Sequence, residues 1–277
     1  MKYILTVFSF LFALNATTVY GQSSSPYKTS FKVDGPITAV AVGLNGYGLY
    51  RITDKDGMSE AQVLAMDKND VNKFDRPYAG NYDLDAKNLS DFGFYGSFAL
   101  PLTLLFNEDV RSNAGQTAVL YVETMAITGA LFTMANGFTE RRRPLAYGEF
   151  DANGQAIEGA PMDERIRKNA KNSFFAGHTA ATAGASFFFA KVFHDYNPDS
   201  PWKPVVWGAA AALPAGVGYL RLKAGKHFLS DNIIGYVVGA GAGILVPQLH
   251  KKGNTSGLSL VPVSTFEYNG AALTYKF

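Results

Sequence analysis

The sequence predicts an all-α protein: a helical bundle of about six apolar helices with a short C-terminal β-hairpin. Three observations lead there. Six apolar stretches, mixed rather than alternating in pattern, are separated by polar, charge-rich segments. Alanine and glycine crowd the last three, as in A-A-T-A-G-A-S and V-V-G-A-G-A-G, and small residues let helix backbones approach closely. In the tail, Leu258–Thr265 and Ala271–Phe277 partly alternate, with Asn269-Gly270 between them as a turn signal.

In chain order, Met1–Gly21 has the anatomy of a secretory signal peptide. Lys2 is its basic n-region and Ile4–Leu14 its apolar core. Val19 and Gly21 are the small residues before a cut ahead of Gln22. That apolar core is too short for a bilayer of about 30 Å. The polar stretch Gln22–Asp34 leads to Gly35-Pro36 and the first apolar helix, Ile37–Ile52. Asp54–Asp91 is acid-rich and holds a short helix, Ser59–Met66, with Ser59 as N-cap. Asp75-Arg76-Pro77 in that segment either braces the core or lies in a solvated loop. The other apolar helices are Phe92–Phe106, Gln116–Met134, Ser173–Phe193, Pro204–Leu222 and Asn232–Leu249. Asn136–Asn172 is a long charged connection, the kind of segment that is usually functional or disordered. The chain therefore divides into a signal peptide (1–21), an N-terminal extension with the first helix and acidic loop (22–91), a helical core (92–250) and a tail (251–277).

Composition excludes several classes of function. There is no cysteine, so disulfides, thiolate catalysis and thiolate metal sites are ruled out. A net charge of +2 with no basic stripe argues against a nucleic-acid partner. No H-E-x-x-H, carboxylate cluster or phosphate-cradling glycine loop is present.

Chemistry concentrates in two stretches, which hold two of the four histidines. Gly218–Asp231 sets Arg221, His227 and Asp231 in the pattern R-x-x-x-x-x-H-x-x-x-D. A spacing of four puts His227 and Asp231 on one face if the segment is helical, and a chain entering a helix at Ser230 would also bring them together. A carboxylate there would keep one imidazole nitrogen protonated and free the other to attack. The blander alternative is that Ser230 and Asp231 simply cap the next helix. Upstream, His178 follows Gly177 near a helix N-terminus, where an anion is favoured. Arg143-Pro144 precedes both. Arg221 has the fork geometry that grips two phosphate oxygens. Lys223 and Lys226 read as solvated surface lysines, and His194 and His250 as surface residues outside any motif.

Arg-Pro, then Gly-His, then Arg…His…Asp, over roughly Asn136 to Gly235, resembles the type-2 phosphatidic acid phosphatase superfamily, with its bacterial acid phosphatases and vanadium haloperoxidases. The resemblance implies phosphate monoester hydrolysis through a phosphohistidine. His227 would be the nucleophile, Asp231 its orienting carboxylate and His178 the general acid. Arg143, Arg221 and Gly177 would form the phosphate site, with Asn136 a further candidate. It implies no metal cofactor, and vanadate only in a haloperoxidase. The chain departs from the family pattern at four positions. Asn136 stands where the first motif has lysine, Phe175 and Ala176 replace the proline and serine of Pro-Ser-Gly-His, and Leu220 replaces the serine before Arg221. Arg141, Arg142, Lys171 and Ser173 are candidates to compensate. The expected partner is a phosphorylated small molecule or lipid, with membrane contact. The expected location is the periplasm or cell envelope, with an integral membrane bundle as the alternative. A haloperoxidase, or an envelope protein that kept the fold with weakened activity, are the rival functions.

Overall fold

The structure is a computed structural model and describes residues 25–153, 155–253, 258–264 and 269–275. The expected signal peptide lies outside the described residues. Each of the six apolar stretches forms a helix, and three short helices join them. The long helices are α1 (Phe31–Thr53), α3 (Leu84–Ala99), α5 (Ala114–Phe138), α7 (Gly177–Tyr196), α8 (Lys203–Lys223) and α9 (Leu229–Leu249). The short ones are α2 (Glu60–Leu64), α4 (Glu108–Ser112) and α6 (Met162–Arg165). Ser59 caps α2 as expected, accepting the Gln62 amide in a capping box.

Helix α7 is the axis. It packs against α9, α8, α5 and α3, while α1 lies along α5. The α7–α9 contact explains the small residues. A Cβ on Gly235, Gly239 or Gly243 would stand 2.5, 2.0 or 2.6 Å from the carbonyl oxygens of Ala176, Ala180 and Gly184. Each series steps by four, so one glycine ridge of α9 lies on the Ala/Gly backbone ridge of α7. The start of α7 is thereby locked to the start of α9, and those two ends carry His178 and Asp231.

The polar segments form a cap over this end. Met58, Val63, Leu145, Ala146, Ala160 and Ala170 make one buried cluster, and Val71, Ala79, Tyr147 and Phe228 another. Arg165, fully buried, ties the long connection together. Its guanidinium donates to the carbonyls of Ala160, Glu158 and Gly148 and lies over the Phe150 ring. The connection is thus a folded lid on the site end, held by backbone satisfaction.

Several expectations need correction. The helix expected over Phe92–Phe106 starts at Leu84, where Asp83 caps it, and gives way to a 3₁₀ turn at Leu100–Phe106. The compact Asn-Gly hairpin expected at the C-terminus is not what forms. Asn269 and Gly270 lie inside strand β2 (Asn269–Tyr275), opposite Ser264 and Val263 of β1 (Leu258–Ser264), so they make no turn. Among the described residues the two strands pair only with each other, and the rest of the fold is built of helices and the loops between them.

The membrane contact expected of the chain gains support. Among the described residues, four helical stretches are long and apolar enough to cross a membrane: Leu84–Phe106, Ala114–Phe138, Lys203–Lys223 and Leu229–Leu249. At most 39% of any of their apolar windows is buried inside the protein. Phe92, Tyr95, Phe106, Val205, Tyr219 and Val237 all point outward. An apolar girdle of this extent marks a surface that meets lipid or another apolar body rather than water.

Candidate active site

The site forms where α7 and α9 begin and α8 ends. Gly225, at φ 66°, turns the chain out of α8, and a Cβ there would stand 1.8 Å from the Asn81 carbonyl oxygen. A glycine in the left-handed region is the usual helix terminator. The turn delivers Lys226 and His227 inward.

His227 is buried, and its Nδ1 lies 2.7 Å from the carbonyl oxygen of Ser173. A carbonyl only accepts, so Nδ1 carries the proton and Nε2 keeps its lone pair. Burial drives the pKa of the ring well below the usual histidine value, and the Arg143 and Arg221 charges push it the same way. The imidazole is held neutral.

Asp231 does not bond to this ring. Its Oδ2 accepts the Ser173 hydroxyl at 2.6 Å and the Phe228 amide at 2.9 Å, and its Oδ1 accepts Arg141 Nη1 at 2.7 Å. The direct His227–Asp231 pair expected from their spacing is corrected: Ser173 stands between them, its hydroxyl on the carboxylate and its carbonyl on the imidazole. Asp231 also performs the capping role of the blander reading, since it accepts the amide at the helix start. Behind it, Asp75 accepts Arg141 Nη2 at 2.6 Å, the Ser230 amide at 3.0 Å and the Ser230 hydroxyl at 2.7 Å. Asp75 is fully buried, so it braces the core.

His178 occupies the first turn of α7 and stacks on Phe94, with ring centroids 4.1 Å apart. Its Nε2 lies 3.1 Å from Asp91 Oδ1. The same oxygen accepts Arg221 Nη1 at 3.1 Å. Burial lowers the His178 pKa to about 3; Arg221 and Arg143 add to that, while Asp91 opposes it. Gly177 has a packing reason, since a Cβ would stand 2.7 Å from the Phe132 ring.

Arg143 is buried and donates from Nε to the Asn172 carbonyl at 3.2 Å. Burial and the nearby Arg221 charge push its pKa down to about 9. No carboxylate forms an ion pair with it among the described residues. The Nε of Arg221 is likewise buried without a hydrogen bond. Two buried guanidiniums, one of them with a donor to spare, have the chemistry that suits an anion. A cavity of about 230 Å³ opens beside Arg143, and Lys87, Arg167 and Lys226 help line it. Lys226, expected on the surface, is buried and pairs with Glu164 at 3.4 Å.

Asn136, in place of the family's lysine, is buried and donates Nδ2 to the Asn172 carbonyl at 3.3 Å. A cation arrives there from elsewhere in the chain. Lys55 Nζ donates to the carbonyls of Asn136 at 2.6 Å and Thr139 at 2.5 Å, and to Asn172 Oδ1 at 2.8 Å. Of the residues named as possible compensators, Arg141 and Ser173 are committed to Asp231, and Lys171 pairs with Glu140 at 3.0 Å. Sequence reasoning missed Asp91 and Lys55. Both sit in ordinary polar contexts with no motif to flag them.

No curated protein gives a significant match to the chain. One solved structure, described as the crystal structure of the first transmembrane PAP2 type phosphatidylglycerolphosphate phosphatase from Bacillus subtilis, shares 18% identity. The match covers 89% of this chain and 94% of that one, with a TM-score of 0.36, too slight a likeness to bear on the site. Residues 117–254 match the model of the PAP2 superfamily, a span that takes in every expected site residue from Asn136 to Asp231, and the chain belongs to that superfamily.

Proposed function

We propose that the protein is a membrane-associated phosphatase that hydrolyses a lipid phosphate monoester through a phosphohistidine. The observation that carries this is the state of His227: a buried, neutral imidazole, proton fixed on Nδ1 by Ser173, beside two buried arginines. Arg143 and Arg221 hold the phosphate oxygens, and Lys87, Arg167 and Lys226, which line the cavity beside Arg143, add positive potential that draws the dianion in. The His227 Nε2 lone pair forms the N–P bond as the P–O bond to the alcohol breaks. His178, protonated once the dianion offsets the arginine charges, gives its proton to the leaving oxygen. Water then gives a proton to His178 and attacks phosphorus. The N–P bond breaks, releasing inorganic phosphate and restoring both histidines. The Ser173 carbonyl, steadied by the Asp231–Ser173 bond, stabilises the positive charge on the phosphorylated ring.

The apolar girdle supports a lipid substrate, because it puts the site end at the edge of a surface suited to a bilayer. Export to the cell envelope rests on Met1–Gly21, and N-terminal sequencing of the mature protein checks it. No metal is assigned a step.

The test is quenching with alkaline denaturing detergent during turnover of phosphatidic acid radiolabelled in its phosphate by the detergent-purified protein. Label that stays on wild type, survives alkali and is lost in acid, and is absent from His227→Ala, is the expected result. Turnover with no trapped label, or label retained by His227→Ala, overturns the phosphohistidine. Absence of phosphate release from folded wild type on every ester offered overturns the phosphatase reading.

A further inference from the structure

A second cluster of ionisable groups lies at the opposite end of the bundle. Helix α9 separates it from the catalytic end, and its 21 residues span about 30 Å. Asp34 comes from the first turn of α1, Glu123 from α5, and His250 from the residue after α9. One donor atom from each lies within 4.8 Å of the others. His250 Nε2 is 3.2 Å from Asp34 Oδ1 and 3.8 Å from Glu123 Oε2.

Three features make this more than a buried ion pair. Asp34 is 4% exposed and Glu123 3%, and His250 is their ion-pair partner among the described residues. The neighbouring lysines are engaged elsewhere, Lys191 and Lys251 both with Asp195. Glu123 Oε2 is buried without a hydrogen bond, yet it is aimed into the cluster. His250 Nδ1 lies 2.7 Å from the Val246 carbonyl, which requires the proton on that nitrogen and turns Nε2 toward the two carboxylates. That is how proteins orient a metal-bound imidazole.

A proton on Nε2 would satisfy Asp34 alone and leave Glu123 Oε2 bare, with one positive charge against two buried negative ones. A divalent cation among the three atoms serves all of them and balances the charge. Donors about 2.0–2.2 Å from a tetrahedral ion stand about 3.3–3.6 Å apart, close to the 3.2 and 3.8 Å that separate His250 Nε2 from the two carboxylates. Two carboxylate oxygens and one imidazole suit Zn²⁺ or a similar first-row ion.

We propose that Asp34, Glu123 and His250 bind one divalent transition-metal ion, of which Zn²⁺ fits best, pinning the start of α1 to α5 and to the end of α9. The site is independent of the phosphatase reading and takes no part in its chemistry.

The experiment uses full-length protein in detergent, stripped with a chelator, reloaded with Zn²⁺ and passed through a desalting column. Metal content and melting temperature are then measured. Wild type is expected to keep about one Zn²⁺ per chain and to melt higher with it. Glu123→Gln and His250→Gln are expected to bind at least about tenfold more weakly, with no Zn²⁺-dependent melting shift. Asp34→Asn serves if either variant elutes as aggregate. Less than one ion per wild-type chain without a melting shift, or equal binding by wild type and a folded variant, overturns the site.

Discussion

Nδ1 of His227 donates to the backbone carbonyl of Ser173 across 2.7 Å, so the orientation of the proposed nucleophile depends on a main-chain group. No side-chain substitution at position 173 removes that carbonyl, and Asp231 reaches the ring only by holding Ser173 in place. Ser173→Ala should therefore keep phosphohistidine formation and lose about 1 kcal/mol of stability, that of one hydrogen bond. Asp231→Ala should cost more, about 2–3 kcal/mol, because it strips partners from Arg141, Ser173 and the Phe228 amide together. Chemical denaturation in detergent gives both values. Equal losses would mean that the carboxylate is not the hub.

Asp91 Oδ1 sits between the residues proposed as general acid and as phosphate ligand, accepting from Arg221 and facing His178 Nε2. It occupies a position for which an incoming phosphate dianion competes. Asp91→Asn should tighten inhibition by inorganic phosphate and lower kcat by about tenfold or more, since His178 loses the carboxylate that favours its protonated form. Steady-state kinetics with phosphate as inhibitor separates the two effects. A fall in kcat with unchanged phosphate affinity would assign Asp91 to His178 alone.

The buried histidines make stability depend on pH. In the folded protein the His178 pKa is lowered to about 3 and that of His227 is well below the usual value, mainly through burial. The unfolded chain takes up protons near the ordinary value of about 6.5. Below that pH the unfolded state binds more protons, so stability falls as pH drops from about 6.5 toward about 3. His178→Asn should flatten part of this acid limb and leave stability above pH 7.5 little changed. Denaturation midpoints at pH 7.5 and 5.0 for both proteins check the sign.

The sequence made the helices legible, and with them the three motifs that the structure gathers at one end of the bundle, because each has a local signature: long apolar runs, crowded small residues, fixed spacings around two histidines. It did not show Asp91, Lys55 or the depth of Asp75, because a polar residue in a charged segment looks the same whether the tertiary fold buries it or not. Spacing suggested that His227 and Asp231 touch, but the carbonyl between them comes from Ser173, a residue far away in sequence. The Asn269-Gly270 turn signal was local, and strand register overrode it.

Lys55 bears on the family lysine that the chain lacks. Its ammonium donates to the Asn136 and Thr139 carbonyls and to Asn172 Oδ1, while the Asn172 carbonyl holds Arg143. Lys55→Met should cost about 2 kcal/mol and weaken phosphate binding through Arg143. Asn136→Lys should destabilise the protein by a similar amount, since it brings a second cation into the same buried ground. The double variant should recover part of the loss. Stabilities that simply add would show that the two positions do not share a site.

The lock between α7 and α9 tests how far the site depends on close helix packing. A Cβ at Gly239 would stand 2.0 Å from the Ala180 carbonyl oxygen, a backbone atom that cannot rotate away. Gly239→Ala must therefore push the helices apart, at a cost of about 1–3 kcal/mol or more. Because Ala180 lies two residues beyond His178, the shift also moves the general acid relative to His227. Gly241, two positions along the same helix, has no atom within 4 Å of its Cβ position. Gly241→Ala should be neutral or stabilising by up to about 1 kcal/mol, the gain in helix propensity. Thermal unfolding and phosphate release measured side by side should show Gly239→Ala losing both and Gly241→Ala losing neither. Similar behaviour of the two would mean that the α9 glycines serve helix flexibility rather than contact with α7.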